Sequence, residues 1–129
     1  MGMCEDALEA YDNLHLNPKT LVIWGESIGG GMASYVASKR KCAVLVLASS
    51  ISSMQGVLTT PSNRPVPVKM IASFIGWIFP TTLPVYKLLR CINCPVVIFH
   101  SSEDTYVSVQ HALINYENAK KSEIISYPW

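Results

Sequence analysis

The sequence contains little charge, and its positive and negative residues are nearly balanced. Asp, Glu, Lys and Arg make up 15% of the 129 residues, and the formal net charge is +1 at pH 7. No basic stripe with interleaved aromatic residues is present, although nucleic-acid-binding surfaces use such stripes to neutralise phosphates. The densest positive run, Lys39-Arg40-Lys41, falls where a helix is expected to end, and cations interact favourably with the helix dipole there. We therefore expect no nucleic-acid partner.

The first residues lack the pattern of an export signal. Residues 1–12 have no charged start followed by an apolar run. The start Met1-Gly2 is compatible with myristoylation, but Asp6 stands where that motif requires serine or threonine. Without an export signal, the four cysteines are expected to be reduced thiols in the cytoplasm.

The cysteine spacing lacks the second half of a zinc site. Cys91-Ile92-Asn93-Cys94 has the spacing of a redox or zinc half-site, but it leads into a predicted strand, whereas a thioredoxin-type pair opens a helix. No second cysteine pair completes a zinc site. We interpret Cys91 and Cys94 as small, half-buried residues at the entrance of a strand, and we expect neither a metal ion nor a cofactor.

Apolar runs of strand length alternate with amphipathic stretches along the chain. Continuous apolar runs are typical of parallel strands covered on both faces, and alternating strands and helices favour an α/β fold with right-handed crossovers. Helices are expected before the first strand, after it, and between the last two strands. The predicted strands cover residues 21–24, 42–48, 95–99 and, more weakly, 123–127.

The strand at 21–24 runs directly into a G-x-S-x-G motif formed by Gly25-Glu26-Ser27-Ile28-Gly29, and a helix follows. This order is typical of a nucleophile elbow, which holds a serine on a strained strand-to-helix turn with its hydroxyl above the sheet. We expect a Cβ at Gly25 or Gly29 to collide with the neighbouring strand or helix. Ser27 is the candidate nucleophile, and the backbone N–H of Ile28 is the candidate oxyanion donor.

With this motif the chain resembles the α/β-hydrolase superfamily, most closely the serine hydrolases that include monoacylglycerol lipases, protein depalmitoylases and serine peptidase-like members. Residues 5–18 resemble the helix before the nucleophile strand, and residues 94–104 resemble the acid-bearing strand and loop. The resemblance implies that Asp104 is the catalytic acid, with Glu103 as the neighbouring alternative. Ser101 and Ser108 stand where the family usually has glycine and proline, which leaves the conformation of this loop open.

The resemblance provides no candidate for the catalytic base. In the family that histidine comes from the loop after the last strand, and this sequence ends at Tyr127-Pro128-Trp129, where that loop should start. His15 and His100 are expected to be structural, with substitution of His100 or His111 for the missing base as the alternative. His111 is expected to cover the surface of the helix after the acid loop. The second oxyanion donor, which lies far upstream of the elbow in the family, is also missing.

Compared with the family, the chain begins just before the middle of the sheet and stops at the last strand. We therefore predict one partial α/β-hydrolase domain over residues 1–129, with a mostly parallel sheet and flanking helices. The strand at 21–24 would then be an exposed edge rather than a central strand, and exposed edges favour self-association.

A long connection of about residues 50–90 interrupts the alternation. It is rich in proline and becomes strongly apolar at 68–79, a run too short to cross a bilayer as a helix. The resemblance implies a cap-like insertion over the active site, and an apolar cap would suit an acyl chain. Peripheral membrane contact through 68–79 and simple packing on the sheet both stay open.

These patterns together predict a serine hydrolase that acts on carboxylic ester or thioester substrates of the small-molecule or lipid acyl class. Ser27 and Asp104 carry the prediction, and the triad is incomplete. The alternative is a catalytically inactive hydrolase-fold remnant or interaction module. A membrane-associated acyl-binding protein is a third hypothesis, which depends on 68–79 alone.

Overall fold

The computed structural model describes residues 2–59 and 84–128. Within these ranges five helices and four strands follow one another along the chain. In chain order they are α1 (Gly2–Leu14), β1 (Val22–Glu26), α2 (Gly29–Lys39), β2 (Val44–Ala48), α3 (Met54–Thr59), α4 (Val85–Leu89), β3 (Val96–Ser101), α5 (Val109–Asn118) and β4 (Ser122–Tyr127).

The described strands form one parallel sheet in the order β1-β2-β3-β4. Described strands that follow one another in the chain are therefore neighbours in the sheet, as in the register pairs Ile23↔Leu45 and Leu45↔Val96. This arrangement confirms the predicted α/β class with a parallel sheet and flanking helices. Because all four described strands run in one direction, the residues that follow them lie together at the carboxyl end of the sheet.

One face of the sheet carries the hydrophobic core. Leu45 and Leu47 of β2 and Ile98 of β3 are fully buried there, where helices α2, α4 and α5 pack. Alternate residues of a strand point to opposite faces, so this set comes from one side of the sheet. The core cluster consists of Ala33, Ala37, Leu45, Leu47, Val85, Leu89, Ile92, Val96, Ile98 and Ala112.

The opposite face is far more exposed at its margins. The side chain of Trp24 is 61% exposed and that of Val22 is 53% exposed. The Trp24 ring stacks on Phe99, with centroids 6.1 Å apart and planes inclined by 16°. Among the described residues β1 pairs with β2 alone, so its outer side forms an edge of the described sheet.

Helices α1 and α2 are joined by polar contacts on the outside of the core. The guanidinium of Arg40 donates two hydrogen bonds to the carboxylate of Asp12, at 2.7 and 2.8 Å. This guanidinium holds the pKa of Asp12 below its usual value. The hydroxyl of Tyr35 donates to Glu5 at 3.0 Å. Arg40 of the predicted positive run therefore has an intramolecular partner.

The predicted cap-like insertion is described only at its two ends, where α3 and α4 form. The apolar segment 68–79 lies outside the described residues. In the part of the chain that the structure describes, no helix combines the length and the apolar character needed to cross a membrane.

Candidate active site

Ser27 follows β1 directly and adopts a left-handed backbone conformation with φ of 51°. Such a conformation is unfavourable for a residue with a Cβ and persists where the surroundings enforce it. Here the backbone N–H of Ser27 donates to the carbonyl oxygen of Ala48 at 3.0 Å, and the Ser27 carbonyl accepts the N–H of Ile51 at 3.4 Å. These bonds fix the turn to the end of β2 and leave Ser27 itself exposed.

Two glycines allow the close approach of the elbow to its neighbours. A Cβ on Gly25 would lie 2.6 Å from both the Ala33 Cβ and the Gly30 Cα. A Cβ on Gly30 would lie 1.9 Å from the Oγ of Ser50. A Cβ on Gly29 would meet no atom within 4 Å, and its φ is not positive. The expected collision at Gly29 is therefore wrong, because that side of the first helical turn faces open space.

Helix α2 begins at Gly29, and Ile28 is its N-cap residue with φ of −63° and ψ of −30°. The helix starts with the N–H of Gly30 donating to Ser27 at 3.3 Å and that of Gly31 donating to Ile28 at 3.0 Å. In the described part of the chain the N–H of Ile28 donates to no protein acceptor. It lies at the positive end of the helix dipole, where anions are favoured.

Asp104 lies in the loop after β3, at the carboxyl end of the sheet, where Ser27 also lies. Its Oδ1 accepts the backbone N–H groups of Tyr106 and Val107, both at 2.8 Å, and so closes the turn. Its Oδ2 lies 3.7 Å from the Nε2 of buried His100. Because an ionised carboxylate has about four acceptor positions, Oδ2 keeps capacity for a further hydrogen bond.

The fold of the chain is also found in proteins of known structure. A *Pyrococcus horikoshii* acylaminoacyl peptidase superposes with a TM-score of 0.70 at 15% identity, over 95% of this chain and 22% of that one. A *Paleococcus ferrophilus* monoacylglycerol lipase superposes with a TM-score of 0.64 at 15% identity, over 97% of this chain and 65% of that one. At this identity the likeness shows the fold.

Sequence comparison gives the same assignment. Over 143 aligned residues the chain is 27% identical to the lysophosphatidylserine lipase ABHD12 of *Danio rerio*, which covers 97% of this chain. In sequence and in fold the chain is similar to α/β-hydrolases. No protein-family model matches it. The chain spans about a third of the length of this curated relative, 36%.

In an α/β-hydrolase a histidine base accepts the proton of the nucleophile. The structure gives the positions of the three histidines of this chain relative to Ser27. His100 is fully buried, and its Nε2 donates to the carbonyl oxygen of Val107 at 2.7 Å. This agrees with its expected structural role, since it supports the acid loop. His15 follows α1 and precedes β1, so it lies at the amino end of the sheet, away from Ser27. None of these side chains is hydrogen-bonded to Ser27 in the described structure.

His111 is fully buried, so the expectation that it covers the surface of helix α5 is wrong. Its Nδ1 accepts the backbone N–H of Ser52 at 3.1 Å, and the Ser52 hydroxyl lies 2.8 Å from the same atom. One turn further along α5, the side-chain amide of Asn115 donates to the carbonyl of Ile51 at 3.3 Å. Helix α5 thus holds the loop after β2, which in turn contacts the elbow.

Sequence reasoning missed this buried polar group. Its signal is the i, i+4 spacing of His111 and Asn115 around Ala112, which places polar side chains on the core face of a helix. The hydrogen-bonding partners that make such burial favourable come from residues 51 and 52, far away in sequence: the Ser52 N–H donates to His111, and the Ile51 carbonyl accepts from Asn115. Among the described residues no group of three or more His, Cys, Asp and Glu side chains could hold a metal ion.

Proposed function

We propose that this chain supplies the nucleophile and the acid of a serine hydrolase that cleaves carboxylic ester or thioester bonds of acyl substrates. The observation that carries the proposal is the exposed, left-handed Ser27 at the junction of β1 and α2. A strained turn of this kind presents the serine Oγ for attack on a carbonyl carbon. Attack forms an acyl-enzyme and expels the alcohol or thiol, and water then releases the acid.

The chemistry of the reaction assigns a part to two further groups. The N–H of Ile28 would donate to the oxyanion that develops on the carbonyl oxygen, because it lies at the start of α2 and carries no protein acceptor in the described structure. The Oδ2 of Asp104 would orient the histidine that removes the Ser27 proton, while Oδ1 maintains the turn.

The proposal requires a histidine base and a second oxyanion donor in addition to these groups. His100 and His111 are both engaged in buried hydrogen bonds that hold loops. This observation favours the second candidate function, a catalytically inactive hydrolase-fold or interaction module. The two candidates differ in whether Ser27 is nucleophilic.

The acyl substrate class is supported by the names of two similar proteins, a lysophosphatidylserine lipase and a monoacylglycerol lipase. We place the protein in the cytoplasm, in keeping with four free thiols. Contact with lipid through 68–79 and self-association through the β1 edge belong to the same proposal.

A fluorophosphonate probe tests the nucleophile. We expect the wild-type chain to be labelled slowly at Ser27, because in the described structure His100 and His111 are engaged in other hydrogen bonds, and lack of the base costs several orders of magnitude in rate. The Ser27→Ala variant should not be labelled. Ser49→Ala is the matched control, since Ser49 also has a left-handed conformation, with φ of 45°, and follows the neighbouring strand; it should be labelled like wild type.

Peptide mapping of the labelled chain separates the outcomes. Labelling that persists in Ser27→Ala, or that maps to another serine, would contradict the proposed nucleophile. Complete absence of labelling would favour the inactive module. Labelling as fast as in a complete α/β-hydrolase would show that a histidine of this chain acts as the base, contrary to the buried hydrogen bonds of His100 and His111.

A further inference from the structure

Two cysteines are in contact at the amino end of the sheet, the end opposite Ser27. Cys42 precedes β2 and Cys94 precedes β3, and these strands are paired in parallel. Their Sγ atoms lie 3.2 Å apart. Both side chains are half-buried and pack against the hydrophobic core. Cys94 of the C-x-x-C spacing therefore contacts Cys42, which lies just before the adjacent strand.

The two thiols are electrostatically unlike each other. The thiol of Cys42 donates a hydrogen bond to the Cys94 sulfur, and the backbone N–H groups of Leu45 and Cys94 assist, which lowers the pKa of Cys94 to about 7 against the opposing effect of burial. The same hydrogen bond raises the pKa of Cys42. Cys94 is therefore the thiol of the pair that ionises first, while Cys42 keeps its proton.

A positively charged cleft adjoins the pair. Its volume is about 460 Å³. Lysine and arginine side chains line it, and no Asp or Glu is among its described lining residues. Arg40 is already paired with Asp12, whereas the lysines add positive charge. Lys120 lies nearby through its hydrogen bond to Asn93 at 3.0 Å. The lining side chains that carry charge or a thiol are Lys19, Lys39, Arg40, Lys41, Cys42, Cys91 and Cys94.

We propose that Cys42 and Cys94 are a dithiol modification site that reacts with an anionic low-molecular-weight disulfide of the glutathione class and closes into a Cys42–Cys94 disulfide. The lysine-lined cleft would attract the carboxylates of such a reagent. The pairing of β2 with β3 keeps the second thiol beside the first. In the described part of the chain no third ligand completes a metal site, so thiol exchange is the chemistry that fits the pair.

The reaction has two steps that balance. The Cys94 thiolate attacks one sulfur of the reagent, which forms a mixed disulfide and releases one small thiolate that takes up a proton. Cys42 then loses its proton, and its sulfur attacks the Cys94 sulfur, which expels the second small thiol. The protein dithiol is oxidised by two electrons, and one small disulfide is reduced to two thiols.

The test uses the whole reduced chain in buffers of oxidised and reduced glutathione, followed by alkylation and peptide mass mapping. Wild type should yield a Cys42–Cys94 linked peptide and lose two of its four alkylatable thiols. Cys42→Ser should accumulate the glutathione adduct on Cys94. Cys94→Ser should give neither product, and the control Cys91→Ser should give the wild-type link.

A second measurement requires no substitution. In wild type the rate of Cys94 alkylation should be half-maximal near pH 7, the pKa given by its contact with Cys42. Glutathione disulfide should react about tenfold faster than the cationic disulfide cystamine at low salt, and the difference should vanish at high salt.

The proposal is overturned if the linked peptide joins Cys91 to Cys94, or if the adduct forms preferentially on Cys4 or Cys91. Equal rates with the two reagents at low salt would remove the role assigned to the cleft. Because all these readouts follow thiols at the edge opposite Ser27, they are independent of the proposed hydrolase activity.

Discussion

Gly30 and Ser50 lie in direct contact beneath the elbow, because a Cβ on the glycine would lie 1.9 Å from the serine Oγ and 2.6 Å from its Cβ. Ser50 is almost fully buried, so its side chain has little room to move away. The loop after β2 therefore supports the first turn of α2 from below. The position of Ser27 depends on this contact as well as on the motif that contains it.

Gly30→Ala should destabilise the chain, whereas Gly29→Ala should not. Overpacking against Ser50 is expected to cost about 1–3 kcal/mol. The Cβ of Gly29→Ala enters open space, and the better helix propensity of alanine should stabilise by up to about 1 kcal/mol. The free energy of unfolding in urea measures both changes. Equal effects of the two substitutions would show that the elbow does not need the contact with Ser50.

Ser27→Gly should stabilise the protein while it removes the proposed nucleophile. Glycine adopts a positive φ without steric cost, and relief of this strain is expected to contribute about 1 kcal/mol. Ser27→Ala is the matched control, because it loses the same hydroxyl but keeps the Cβ and should leave the free energy of unfolding nearly unchanged. A Ser27→Gly variant that is less stable than Ser27→Ala would contradict the assignment of strain to this residue.

The contact between His111 and Ser52 should be measurable in a double-mutant cycle. Ser52→Ala removes the hydroxyl 2.8 Å from Nδ1 but keeps the backbone donor, so we expect a loss of about 1 kcal/mol. His111→Ala removes a large buried side chain together with the Nδ1 acceptor of the buried Ser52 N–H, and it should cost about 3 kcal/mol. The double variant should lose less than the sum of the two.

Ser38→Ala serves as the control for this cycle, since the Ser38 hydroxyl donates only to its own helix, at Tyr35. Its effect should be within about 0.5 kcal/mol. Strict additivity of Ser52→Ala and His111→Ala would mean that helix α5 does not stabilise the loop through this pair.

Trp24→Lys should reduce self-association of the chain. Trp24 is exposed on the edge strand β1, and lysine on an edge strand opposes pairing with another chain. Tyr106→Lys is the control, because Tyr106 is exposed to a similar extent, 59%, but lies in the acid loop. Size-exclusion chromatography should show oligomers for wild type and Tyr106→Lys. A wild-type chain that elutes as a monodisperse monomer would refute the proposed association.

The sequence allowed the sheet to be predicted well because its signals are local. The apolar run at 42–48 contains β2, and the run at 95–99 contains most of β3. Strand ends were less accurate: β1 extends to Glu26 because its register with β2 continues as far as Ala48. Such extensions depend on the partner strand, which the residues of the segment itself do not specify.

At the site, the local part of the pattern was predictable and the long-range part was not. The turn at Ser27 follows from glycines next to it in sequence. By contrast, the open space at Gly29 depends on which side of α2 faces β2. The burial of His111 depends on Ser52, and the contact between Cys42 and Cys94 depends on strand pairing. Each of these requires knowledge of distant segments that periodicity does not provide.

A sheet whose strands follow one another in chain order can be built progressively as the polypeptide emerges during synthesis. Strand β2 pairs with β1 after a short crossover through α2, and β4 pairs with β3 after a short crossover through α5. Between them, β3 must return to β2 across the long connection from Ala48 to Val96. The entropic cost of loop closure is largest at that step. We therefore expect the β1–β2 pair and the β3–β4 pair to form first. Docking of β3 on β2 then joins the two pairs and limits the folding rate.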